Sequence, residues 1–102
     1  MTGSEGIVSG GKDPQIEKLR ATIDEIDYAL LQLIAKRKDV AVEIARIKQK
    51  TGPMEDEARI KAVLDNVQAR AKKLGLDEKE VKEIWKALIA YIIREQMKKH
   101  PY

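Results

Sequence analysis

Four residues of this sequence have the types and spacing to grip an anion: Arg20, Arg37, Lys48 and Gln96. Arg37 is the most telling. It interrupts a row at helical spacing that runs Ile16, Leu19, Ile23, Ile26, Leu30, Leu33, Arg37, Val40, Ile44, Ile47. A guanidinium buried in such a row costs several kcal/mol unless it is paired. Its neighbours in the row are aliphatic and offer no carboxylate, so the missing anion can be a ligand. Arginine suits that task because its planar fork can hold a carboxylate at two points. Arg20 and Lys48 lie in an adjacent row with Asp27, Ile34 and Ala41, and Gln96 continues a second apolar row, that of Leu88 and Ile92. Each has a bland reading beside the functional one. Arg37 can set register or snorkel, Arg20 and Lys48 can be solvated ion-pair partners, and Gln96 can be a solvated residue near the chain end.

Spacing turns these residues into a geometric problem. Arg20 and Arg37 are 17 residues apart, about 25 Å along one helix. No small molecule touches both in one chain. Arg37 and Lys48 are 11 apart, about 16 Å, which two long side chains can close around a ligand. If Arg20 serves the same site, it comes from an antiparallel partner chain. The long apolar row needs such a partner on its own account, and both considerations point to a dimer with shared sites.

The elements that must position these residues are helices. Asp13-Pro14 is a helix start, with Asp as N-cap and Pro in the first turn. No breaker follows until Gly52-Pro53, so the first helix is expected over roughly 14–50. A second helix opens with the acids Glu55, Asp56 and Glu57 and closes near Gly75, with an apolar face of Ile60, Val63, Leu64, Val67, Ala71 and Leu74. The stretch DEKE at 77–80 has the form of a capping box and starts a third helix carrying Val81, Ile84, Trp85, Leu88, Ile92 and Gln96. Residues 1–12 are Gly/Ser-rich and read as a disordered extension; residues 13–102 read as a single helical domain.

Composition agrees. The 102 residues include no Phe and one Trp, and 36% are charged, which suits helices packed through Ile, Leu, Val and Ala. With no cysteine, disulfides and thiolate chemistry are excluded. A net charge of +3 with interleaved signs argues against a nucleic-acid binder. No segment has the apolar length of a membrane span and the first residues lack signal-peptide character, so a cytoplasmic protein is expected. Metal-ligand spacing is absent, and the lone His100 reads as solvated.

The segment LRATIDEIDYALLQLIAKRKDVAVEIARIK, followed by a short loop, DEARI and REQMK, resembles the all-α (AroQ) chorismate mutase family over about residues 15–99. The resemblance lies in the joint order and spacing of these stretches rather than in one motif. It implies an all-α fold of three helices per chain, one of them very long, in an intertwined helical homodimer with two active sites and no metal or cofactor. By resemblance, Arg20 crosses from the other subunit to a substrate carboxylate and Arg37 holds the second carboxylate. Lys48 contacts a carboxylate and the ether oxygen, Gln96 faces that oxygen, and Arg59 is the arginine at the start of the second helix. Lys48, Gln96 and Arg37 are thereby the catalytic candidates. The implied chemistry is pericyclic. It needs a compact conformer and stabilised negative charge as the ether C–O bond breaks, not a nucleophile.

Two positions depart from the typical mutase pattern. Ile60 follows Arg59 where mutases have glutamate, and Ile92 stands where a small or polar residue is common. Both make the pocket more apolar. An aliphatic residue after the arginine, the ending YIIREQMK and the loop length from Lys48 to Arg59 resemble the isochorismate-pyruvate lyase branch of the family. Asp56 matches a mutase acid near the ring hydroxyl and pulls the other way, although it reads equally as a helix N-terminal acid. The resemblance therefore implies a dicarboxylate substrate, with isochorismate converted to salicylate and pyruvate as the main expectation and some mutase activity besides. The alternative is a mutase proper, converting chorismate to prephenate. A more distant alternative is a non-catalytic dimerisation module in which Arg37 only fixes register.

Overall fold

The computed structural model describes residues 13–48 and 57–101, and these form three helices with no strand among the described residues: α1 (Pro14–Lys48), α2 (Glu57–Lys73) and α3 (Glu78–Lys99). The expected extension at 1–12, the loop around Gly52-Pro53 and the residue Asp56 lie outside the described residues.

The helix ends follow from local chemistry. The Asp13 carboxylate accepts a hydrogen bond from the Gln15 backbone N–H at 2.8 Å, and its carbonyl accepts from Glu17 N–H at 3.0 Å. The orphan donors at the start of α1 are satisfied in this way. Asp77 does the same for α3, its Oδ1 accepting from Lys79 and Glu80 N–H at 2.9 and 3.0 Å. Between them α2 is closed by the turn at Gly75, whose φ of 77° is the left-handed conformation that costs glycine little. There Leu76 N–H donates to the Ala71 carbonyl and Gly75 N–H to the Lys72 carbonyl, the two bonds of a Schellman motif. This tight end folds α3 back on α2, and the two helices pack together.

The chain divides into two compact units, Met1–Lys36 and Arg37–Tyr102. In the described part of the first, the N-terminal two-thirds of α1, no residue is buried. In the second, the buried residues are Ala45, Ala71, Val81 and Ile92, one or two from each helix. Along α3 the inward row is Val81, Trp85, Leu88, Ile92 and Gln96.

Two expectations need correcting. Leu74 does not complete the α2 face; it lies in the turn beyond the helix and is 75% exposed. Ile84, placed with the α3 core row, is 60% exposed. At about 100° per residue Ile84 stands at one edge of the row, about 60° from Val81 and about 40° from Leu88, and packing covers the other edge, where Trp85 and Gln96 lie.

Within the second unit, α1 also turns a different row inward from the apolar one. Arg37, Ala41, Ala45 and Lys48 are half-buried or buried, whereas Val40, Ile44 and Ile47 are exposed. Arg37 belongs to both rows, because i to i+3 and i to i+4 steps both start from it. The apolar row is thus uncovered in this chain from Ile16 to Ile47. Completing its burial would contribute on the order of 10 kcal/mol per chain, as much as the whole stability of a typical domain.

Candidate active site

Arg37, Ala41, Ala45 and Lys48 form one side of the candidate site. Burial pushes the Arg37 guanidinium below its ordinary pKa, and the charge of Arg59 adds to this. Both effects oppose the charged form, and no carboxylate among the described residues forms an ion pair with Arg37. Two guanidiniums from α1 and α2 therefore share a local field that favours an anion.

Lys48 is the last residue of α1 and is half-buried, and it makes no ion pair with another described residue. Ile60 is half-buried in the first turn of α2, beside the exposed Arg59. Ile92, on α3, is only 3% exposed. Four residues later on the same helix, Gln96 reaches α1: its Nε2 donates to the main-chain carbonyl of Ala41 at 2.7 Å. This is not a solvated residue at a chain end.

Around the amide lie charges the sequence reading did not single out. Lys38 is raised above its ordinary pKa by its hydrogen bond to Asp39, with further help from Tyr91 and Glu95 on α3. Glu95 in turn is held below the usual carboxylate range by Lys98, then by Lys38 and Lys99. These charges tie α1 to α3 beside Gln96, within one chain.

Arg20 belongs to the first unit. It is exposed, and its guanidinium bonds Glu17 one turn earlier at 2.9 Å. Of the seven residues singled out by the sequence, the structure links Arg37 with Arg59 electrostatically and anchors Gln96 on α1. It sets Lys48, Ile60 and Ile92 in the same unit. The sequence reading missed Ala41 and Ala45 as parts of the site. The available signal was two alanines, four apart, at i+4 steps from Arg37.

No helix among the described residues is long and apolar enough to cross a membrane. No solved structure gives a significant match. Over 78 residues, 76% of this chain and 79% of the relative, the sequence is 35% identical to a chorismate mutase of Methanocaldococcus jannaschii. Over 81 residues, 78% of this chain and 79% of the relative, it is 33% identical to a 4-amino-4-deoxychorismate mutase of Streptomyces venezuelae. Both relatives are named as mutases, which supports the mutase alternative over the lyase that Ile60 suggested. The family model for chorismate mutase type II matches residues 19–97, a span that takes in every residue of the candidate site, and the chain belongs to that family of enzymes.

Proposed function

We propose that the protein is a chorismate mutase, converting chorismate to prephenate in sites shared between two copies of the chain. The observation that carries this reading is the environment of Arg37: a half-buried guanidinium, disfavoured by burial and by Arg59, with no ion-pair partner among the described residues. A dicarboxylate supplies the missing charge. In the reaction the ether C–O bond breaks as a C–C bond forms, with no atom gained or lost. The chain's task is to hold the bent conformer and to meet the negative charge growing on the ether oxygen. Arg37 and Arg59 bind carboxylate from this chain, Lys48 and Gln96 meet the ether oxygen, and Ile60 and Ile92 form apolar walls. No cofactor enters this scheme.

The α1 row supports the shared site. Read against a reversed copy of itself, it pairs Ile16 with Ile47, Leu19 with Ile44, Ile23 with Val40, Ile26 with Arg37 and Leu30 with Leu33. Every member then has a partner, as an isologous interface requires. In that register Arg20 of a second copy lies level with residue 43, between Arg37 and Lys48. Its own row, which includes Ala41 and Lys48, then faces its symmetry mate.

A second reading, the conversion of isochorismate to salicylate and pyruvate, is favoured by one observation: Ile60, half-buried beside Arg59, presents no acceptor to a ring hydroxyl. One experiment separates the two. The protein is incubated in turn with chorismate, 4-amino-4-deoxychorismate and isochorismate, and the products are identified. Prephenate as the fastest product supports the proposal, salicylate with pyruvate supports the second reading, and turnover of none of the three refutes both.

A further inference from the structure

We propose that the main-chain carbonyl of Ala41 positions Gln96 for its ligand, and that Ala45 is the residue that keeps this carbonyl open. The inference rests on the proposed function for the identity of the ligand, but not for the anchor itself.

The anchor starts from helix geometry. A carbonyl inside a helix already accepts from the N–H four residues on, and one lone pair remains for a second donor. Whether a donor can reach it depends on the side chain one turn later, because Cα–Cβ bonds lean toward the helix N-terminus. A residue four positions on therefore covers the surface over the earlier carbonyl. For Ala41 that residue is Ala45. It is fully buried and carries only a methyl group, so the Gln96 amide can pass over it and bond Ala41 O at 2.7 Å. A longer side chain at position 45 would occupy this path.

The bond also decides which way the amide faces. A carbonyl oxygen accepts from N–H and repels the amide oxygen, so Nε2 is fixed toward α1. That nitrogen has a second N–H, which is left to point elsewhere. Gln96 thus keeps one fixed N–H and its Oε1 free, and we infer that the N–H is the group that meets the ligand, at an acceptor atom. In the proposed reaction that atom is the ether oxygen, on which negative charge develops. A fixed donor there acts on the transition state more than on substrate binding.

The test has two arms. In the free, isotopically labelled protein, scalar coupling across the hydrogen bond between Gln96 Nε2 and the Ala41 carbonyl carbon is expected. Its absence, with averaged amide proton signals, overturns the anchor whatever the protein turns over. In kinetics, Ala45→Val should lower kcat roughly tenfold to a hundredfold with KM little changed, while Ala45→Gly, which leaves the path open and adds no donor for the carbonyl, keeps the Gln96–Ala41 coupling. In a Gln96→Ala background the same Ala45→Val change should cost almost nothing further, because the group it displaces is gone. An equal loss in both backgrounds overturns the positioning role and leaves Ala45 a packing residue. Should the valine variant not fold, the glycine variant and the wild-type coupling still decide: loss of the coupling in the glycine variant overturns the anchor. Coupling without turnover of any of the three substrates overturns the proposed reaction alone.

Discussion

Arg37 and Arg59 carry like charges on two different helices, near enough for Arg59 to lower the pKa of a half-buried Arg37. Two like charges at this range oppose each other, so in the proposed site binding of the substrate is set against stability. Arg37→Met keeps the aliphatic stem and removes the charge. The expected outcome is a loss of kcat/KM of at least a hundredfold with a Tm that holds or rises by a few degrees. Steady-state kinetics and thermal unfolding on one preparation check both halves. A Tm that drops sharply would show that the guanidinium holds the fold.

Sharing of sites predicts complementation. Arg20→Ala and Arg37→Ala homodimers should each be inactive, and unfolding and reannealing a mixture should restore activity, since heterodimers carry one site with both arginines intact. That amounts to about a quarter of all sites at equal mixing. The same register brings Asp27 of a second copy level with Lys36, one residue from Arg37, so an interfacial ion pair competes with the ligand as the anion for Arg37. Asp27→Asn discriminates. If the ion pair is what Arg37 serves, the dimer weakens in dilution-dependent sedimentation; if the ligand is, the dimer holds.

Lys48 stands at the end of α1, half-buried and without an ion-pair partner among the described residues. Placed against the ether oxygen, it provides one donor to the transition state, worth roughly 3–4 kcal/mol. Lys48→Ala should therefore lower kcat by about two to three orders of magnitude while circular dichroism and Tm stay close to those of the wild type. Near-normal turnover in this variant would make the lysine a solvated helix end.

Ile60 tests the choice of substrate. A glutamate at this position accepts a hydrogen bond from a ring hydroxyl, an interaction with a charged acceptor worth about 1.5–3 kcal/mol. Ile60→Glu should raise kcat/KM for chorismate relative to isochorismate roughly tenfold or more. The measurement is both constants for both proteins. A ratio that does not move would show that residue 60 does not face the ring.

Much of this architecture was legible because helix ends are written in local chemistry. Asp13 with Pro14, Asp77 with the residues after it, and Gly75 each act on neighbours within a few positions, and each appears where the sequence put it. The apolar row of α1 was legible as well, and its aliphatic members are exposed in the single chain. Which side of α1 its own chain would cover was not. Arg37 starts two rows at once, and the row that turns inward runs through Ala41 and Ala45, residues with almost no hydrophobic signal. The exposure of Ile84 belongs with this, since a helix with apolar residues on more than one side shows which one packs only when its neighbour is in place. The Gln96 bond to a backbone carbonyl 55 positions away was equally invisible, because every residue supplies a carbonyl and none announces that it is open.

The hairpin turn at Gly75 has a consequence in chirality. Counted from Gly75 back to Ile60 and from Asp77 forward to Ile92, both isoleucines lie 15 residues from the turn, about 22 Å along their helices. In the proposed site the two apolar walls are therefore set level by one backbone conformation at the far end of the hairpin. A methyl group built on Gly75 would meet nothing within 4 Å, so space is not what selects glycine there; handedness is. An L-alanine would strain the positive φ at a cost of about 1 kcal/mol. Its mirror image would sit in its own preferred region and restrict the unfolded chain, adding roughly 0.4–1 kcal/mol. A semisynthetic chain with D-alanine at 75 should therefore melt above the natural protein, and Gly75→Ala below it, two enantiomers of one substitution moving Tm in opposite directions.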